Sequence, residues 1–187
     1  MRYDADHKRT VRERLLENAA RLVRKRGVSG TSVADVMGSA GMTVGGFYRH
    51  FASQDLLRGE ALAKALRDAR RRLFEGIDEL RGSAFERAFV GRYLSTAHCA
   101  DVARGCPIPA TISEVSRLRR EARTPLSNEI ESIVEYVAQR IGHGREARAR
   151  AITLLVACAG AVAVARAIGG ELGDEVLRAT RATLIGS

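Results

Sequence analysis

The stretch Thr31–Leu57, TSVADVMGSAGMTVGGFYRHFASQDLL, decides the fold. Ser32 is placed to N-cap a short helix, with Asp35 three residues on, as in a capping box. Val33, Val36, Met37 and Ala40 form the buried face of that helix, and Gly41 is its natural stop. A tight turn follows and a second short helix starts at once. Met42 and Phe47 have the spacing of a hydrophobic staple around a Thr43 N-cap. Phe47 and Phe51, at i and i+4, can plug into a core formed by the first two helices, which leaves Thr43, Val44, Gly46 and Tyr48 facing out. Two helices across such a turn form a helix-turn-helix, whose second member presents its N-terminal end to base edges in the major groove.

The types of residue on this outer face suit a duplex. Gly45 and Gly46 each cost roughly 1 kcal/mol against Ala in a helix interior, less near the first turn. Without Cβ atoms they let backbone N–H groups approach phosphate or bases closely. Val44 can touch a thymine methyl, while Arg49 and His50 can reach phosphate or a guanine edge. The Tyr48 hydroxyl can donate to phosphate, which positions without reading sequence. Ser53 can N-cap a long fourth helix, with Asp55 in its first turn. Lys8 and Arg9 lie just ahead of the expected first helix, where a basic arm could track the backbone.

Outward from this stretch, helical periodicity dominates and β signals are nearly absent, so the chain is expected to be all-α. Val11, Leu15, Ala19, Leu22 and Val23 recur at helical steps. Arg24, Lys25 and Arg26 suit the last turn, and Gly27 its end. Breaks at Gly27–Thr31, Gly41–Met42, Ala52–Ser53, Gly82–Ser83, Arg104–Pro109, Arg123–Pro125, Gly142–Gly144 and Gly169–Gly173 leave about nine helical segments. The fourth is expected from Ser53 to about Leu80, the eighth from Arg145 to Ala167 and the ninth from Asp174 to Ile185. This divides the chain into a three-helix helix-turn-helix head, residues 1–52, and a helical body, residues 53–187, joined through the fourth helix.

Lys and Arg number 31 against 22 Asp and Glu, a net charge of +9 in 187 residues. So basic a chain attracts polyanions, nucleic acid first and an anionic membrane surface second. Three cysteines without framework spacing argue for a reducing compartment. Residues Met1–Thr10 lack an apolar signal core. The longest apolar run, Ala151–Ala165, is too short to span a bilayer and suits a buried helix. A cytoplasmic location without a membrane partner is expected. No phosphate-binding Gly loop, nucleophile elbow, zincin motif or paired-carboxylate site is present, and a Cys106/His98 hydrolase would lack an orienting third group. His98, Cys99 and Cys106 lack a fourth metal ligand. Neither an enzyme nor a metal or cofactor is therefore expected.

With Gly27, Thr31, Val36, Ala40-Gly41, Thr43, Phe47-Tyr48, His50-Phe51, Ser53, Asp55 and Leu56 in place, Thr31–Leu57 closely resembles the DNA-binding signature of TetR-type repressors. One departure is Gln54, where that family usually carries a phosphate-binding Lys. The resemblance implies a homodimer on an operator in double-stranded DNA, released by a small-molecule or thiol-reactive inducer. The alternative is a non-specific nucleoid-type DNA binder. The candidate DNA contacts are Lys8, Arg9, Thr31, Ser32, Thr43, Val44, Gly45, Gly46, Tyr48, Arg49, His50 and Gln54.

In the body, the resemblance places a ligand pocket among the fourth to eighth segments. Phe85, Phe89 and Tyr93 recur at i, i+4 and i+8, and with Tyr136 they are wall candidates, although such a stripe is more often core. Cys106 precedes Pro107, a residue suited to the first helical position. A thiol capping that helix beside Arg104 would have a lowered pKa, so Cys106, with Cys99, is a candidate sensor against the plainer reading of a small packing residue. Cys158 reads as core. The last two segments are the expected dimer helices, with Ile152, Leu155, Ala159, Ala163, Val176, Leu177, Thr180 and Leu184 as interface candidates.

Overall fold

The computed structural model describes residues 2–186, with side chains from Asp6 onward. The described residues contain helices and connections and no strand. The order is α1 (Arg2–Arg26), α2 (Val33–Ser39), a 3₁₀ helix (Val44–Arg49), α3 (Gln54–Phe74), α4 (Gly82–Tyr93), α5 (Thr96–Ala100), α6 (Ile108–Val115), α7 (Arg120–Ile141), α8 (Gly144–Ile168) and α9 (Gly170–Ile185).

Helix α1 starts well ahead of its apolar periodicity. Lys8 and Arg9 lie exposed on this helix, so these two residues ride on a helix and do not form the free basic arm expected of them. Its other end packs on α3 through fully buried Leu15, Ala19 and Val23. Arg24, 5% exposed, donates through Nη2 to the Ala65 carbonyl at 2.8 Å and reaches Asp68 at 3.5 Å. Burial holds its pKa below the ordinary guanidinium value.

Helix α3 crosses α7 so closely that a Cβ on Gly59 would lie 1.7 Å from the Ala122 carbonyl oxygen. Only glycine allows this crossing. Helix α3 ends at Phe74, short of the expected Leu80, as Glu75 leaves the helical conformation and Gly76 turns the chain with φ +75°. Phe74 packs in an aromatic cluster with Phe85, Phe89 and Tyr136 at centroid distances of 6.0, 5.5 and 4.6 Å. Each buried side chain of this size contributes roughly 1.5–3 kcal/mol. The break expected at Arg123–Pro125 is absent and Pro125 lies inside α7. Its missing N–H leaves unpaired only the carbonyl of Glu121, an exposed residue that water can serve. The chain breaks instead between Ser116 and Arg119. A further break splits the fifth expected segment at Ser95, whose hydroxyl oxygen accepts the His98 N–H at 3.1 Å and starts α5.

Helix α8 is longer than its apolar run. Its 25 residues are long and apolar enough to cross a membrane by length and composition. In the fold it packs against α7 and α9, with Ala151, Leu154, Cys158 and Val162 fully buried.

Candidate nucleic-acid interface and ligand cavity

Helix α2 begins as its sequence dictates. The Ser32 Oγ accepts the Asp35 N–H at 3.0 Å and donates to Asp35 Oδ2 at 2.7 Å, and that bond is the main reason the Asp35 carboxyl sits below its ordinary pKa. After α2 the chain turns at Gly41, and Thr43 takes the N-cap position with φ −79° and ψ 151°. The Thr43 hydroxyl makes no capping bond and stands exposed. The following helix is 3₁₀ and not α, consistent with the poor α-propensity of Gly45-Gly46.

Phe47 and Phe51 are both buried and stacked at 5.7 Å, which turns the opposite face outward as expected. Tyr48 is 77% exposed and Val44 51%. A Cβ at Gly45 would meet nothing within 4 Å, and one at Gly46 would meet only two methionine methyls at 3.6 Å or beyond. Nothing inside the chain therefore demands glycine at either position. Arg49 is exposed and His50 half-buried. The His50 Nδ1 is buried without a hydrogen-bond partner among the described residues. Burial, with the nearby charges of Lys8, Arg12 and Arg49, lowers the His50 pKa.

The structure turns two expected contacts inward. Thr31 is fully buried and its Oγ1 donates to the Gly27 carbonyl at 2.9 Å, so it does not face a duplex. Gln54 Nε2 donates to the Thr31 carbonyl at 3.3 Å, beside Arg58 Nε at 3.1 Å. Both residues tie α3 to the start of α2.

Sequence reasoning missed three side chains that hold this region. Arg12 lies over the Phe51 ring at 4.7 Å, donates to the His50 carbonyl at 3.3 Å and pairs with Glu60. Arg58 also reaches the Ser29 carbonyl at 3.3 Å. Glu114, on α6, accepts the Val28 N–H at 3.1 Å and the Ser29 N–H at 2.8 Å. Burial alone would raise the Glu114 pKa, but these bonds outweigh it and the value is lowered. These partners lie tens of residues away in sequence, and no local pattern marks them.

A cavity of about 390 Å³ lies among α3, α4, α6, α7 and α8. Phe89, Tyr93 and Cys106 line it, as do Ile108, Pro109 and Ile112 of α6. Phe85 is not in its wall but fully buried among Phe74 and Phe89. Tyr136 is not in the wall either. It stacks on Phe74, donates its hydroxyl hydrogen to Asp78 and lies under Arg140 at 3.4 Å. Burial, followed by the bond to Asp78, pushes its pKa up to about 12.

The cysteines depart from the expected sensor. Pro107, not Cys106, holds the N-cap position of α6. The Cys106 thiol is buried and its pKa is pushed up, so it is a thiol and not a primed thiolate. Its backbone N–H donates to His98 Nε2 at 3.2 Å, and burial lowers the His98 pKa. Cys99 is half-buried and outside the cavity wall. Cys158 is core, its thiol pushed by burial to about 12.

The dimer candidates separate into groups. Leu177 is buried within its own chain. Leu155, Ala159 and Ala163 line the cavity, so their inward faces are already used. Val176, Thr180 and Leu184 are half-buried, and Ile152 is exposed. Ile152 opens an exposed apolar row with Val156, which also borders the cavity, and with Val164 and Ile168, spaced by multiples of four along α8 and continued by Leu172.

Residues 15–61 match the family described as bacterial regulatory proteins, tetR family. The chain is 27% identical over 136 residues to the HTH-type transcriptional repressor DhaR of Mycobacterium sp. (strain GP1), an alignment covering 73% of this chain and 68% of that protein. Among solved structures, a TetR transcriptional regulator from Chloroflexus aurantiacus J-10-FL shares 27% identity with a TM-score of 0.69, over 96% of this chain and 94% of that one. The reduced form of NemR from E. coli shares the fold at 20% identity with a TM-score of 0.76, over 94% and 95% of the two chains.

Proposed function

Since the chain belongs to the TetR family of transcription regulators, we propose that it is a homodimeric, cytoplasmic repressor that holds a specific operator and leaves it when a small molecule fills the body cavity. The observation that carries this reading is the face Thr43–Arg49. Thr43, Val44 and Tyr48 stand exposed on a helix pinned from behind by Phe47 and Phe51, with two glycines that no packing inside the chain requires. Thr43 and Val44 read base edges. Tyr48, Arg49, Lys8 and Arg9 contact phosphate, and Ser32, at the N-terminus of α2, lies where an adjacent phosphate would pass. Residues 1–52 act as the reading head and 53–187 as the body.

Two-fold related half-sites call for paired heads. The exposed row on α8, with the half-buried face of α9, gives the second copy an apolar surface of the kind that marks protein contacts. Release needs a ligand that binds one state better than the other. The path runs through α6, because Ile108, Pro109 and Ile112 form cavity wall while Glu114, on the same helix, grips the backbone that enters α2. A ligand that displaces α6 thus pulls on the head.

The test is fluorescence anisotropy on labelled duplexes. Tyr48→Phe is expected to weaken binding across sequences and Thr43→Ala to alter sequence preference. Operator binding unchanged in both variants would remove the assignment of this face.

A further inference from the structure

We propose that the cavity takes an uncharged, largely hydrocarbon molecule with at most one hydrogen-bonding group, and rejects carboxylates and other small anions. This rests on the reading that the cavity is the inducer site. Apart from Arg70, Tyr93 and Cys106, every side chain in its wall is hydrocarbon. Burying an ion there without a partner is costly enough that the neutral form of a ligand is strongly favoured.

Of the three exceptions only Arg70 carries a charge, and one of its nitrogens is already engaged within the protein. Arg70 Nη1 is held by Glu129 Oε1 at 3.3 Å and Ser132 Oγ at 2.9 Å. Glu129 is itself buried and takes a second guanidinium from Arg67 at 3.1 Å. Tyr93 and Cys106 are both buried, and burial raises the pKa of each, so they face the cavity as a neutral hydroxyl and a neutral thiol. They can orient one polar atom of a guest.

The start of α6 offers an anion few donors. A helix N-terminus binds anions through its free N–H groups. Pro107 and Pro109 have none, Ala110 N–H is donated to the Pro107 carbonyl at 3.1 Å, and the Ile108 N–H is turned to the Cys106 sulfur. Arg166, whose charge reaches Cys106, is not part of the wall. Its Nε and Nη2 serve the carbonyls of Cys99 and His98 at 2.8 and 3.2 Å, while Nη1 is buried without a partner among the described residues.

The experiment uses the full chain and the neutral fluorophore N-phenyl-1-naphthylamine, whose emission rises in apolar sites. It is expected to bind saturably at one per chain. At about pH 8, where a carboxylic acid is ionised, 1-decanol should displace it at least about tenfold more effectively than decanoate. That gap should narrow at about pH 5 as decanoate becomes protonated. Ala163→Trp on α8 and Ile108→Trp on α6 fill the cavity from different walls, and each folded variant should lose the fluorophore. Decanoate competing as well as decanol would overturn the proposal and point to Arg166 Nη1 as an anion hook. So would the absence of saturable binding, or binding that survives both fillers. Duplex binding by the same wild-type preparation is measured in parallel. Its failure strikes the regulator reading alone, and the displacement result speaks to the cavity alone.

Discussion

Replacing Glu114 by Gln tests the link between body and head. The wild-type carboxylate accepts two backbone N–H groups, from Val28 at 3.1 Å and Ser29 at 2.8 Å. Glutamine keeps one carbonyl oxygen and turns an NH₂ toward the other donor. One bond is lost and the survivor loses its charge assistance. Hydrogen bonds to charged groups are worth about 1.5–3 kcal/mol, and partial exposure at Glu114 puts the net loss near the lower end, about 1–2 kcal/mol. Amide hydrogen exchange reads this locally. The Val28 and Ser29 amides should exchange roughly 5- to 30-fold faster in Glu114→Gln, with α7 amides unaffected. The pH dependence has a definite sign. A carboxyl whose folded pKa is lowered adds stability that is fully present above its ordinary value and is lost as pH falls through the folded one. The two proteins should therefore converge in acid and differ most near neutrality. Unchanged exchange at Val28 and Ser29 near neutral pH would refute the latch. Gly27 gives a companion variant, because its φ is +75° and a Cβ there would lie 2.4 Å from Glu114 Oε1. Gly27→Ala should speed the same amides.

Three other outcomes are expected. Gly59→Ala drives a methyl into the Ala122 carbonyl and should lower the urea-unfolding free energy by at least about 1–3 kcal/mol, as overpacking does. Iodoacetamide on the native protein, followed by peptide mass mapping, should label half-buried Cys99 before Cys106 and Cys158; equal labelling of Cys106 would restore it as a sensor. Gln54→Lys exchanges a neutral donor to Thr31 for a charge, and because Gln54 turns inward the salt slope of duplex binding should change by less than one full phosphate contact. A slope steeper by a full unit would put residue 54 on the backbone of the duplex.

Local chemistry made the head legible. The Ser32–Asp35 cap, the stop at Gly41 and the Phe47/Phe51 anchor depend on neighbours within a few residues, and each stands where its spacing put it. What failed depended on distant partners. Thr31 looked like a polar surface residue until Gly27 and Gln54 closed over it. Cys106 looked activated because a proline follows it, yet burial outweighs any help from the helix end. Pro125 read as a break because its cost was counted and the exposure of Glu121 was not. Leu155, Ala159 and Ala163 share helical spacing with the exposed row of α8, and only the position of α6 and α7 shows which face lines the cavity.

The most direct test of the account is anisotropy titration of the full chain against the best duplex from a random-library selection, beside a scrambled duplex at the same physiological salt. The account predicts two subunits, or a multiple, per site and a preference of roughly 10³ or more for the selected duplex. Equal, salt-limited binding to both duplexes would contradict it and leave a basic protein that holds DNA without reading it.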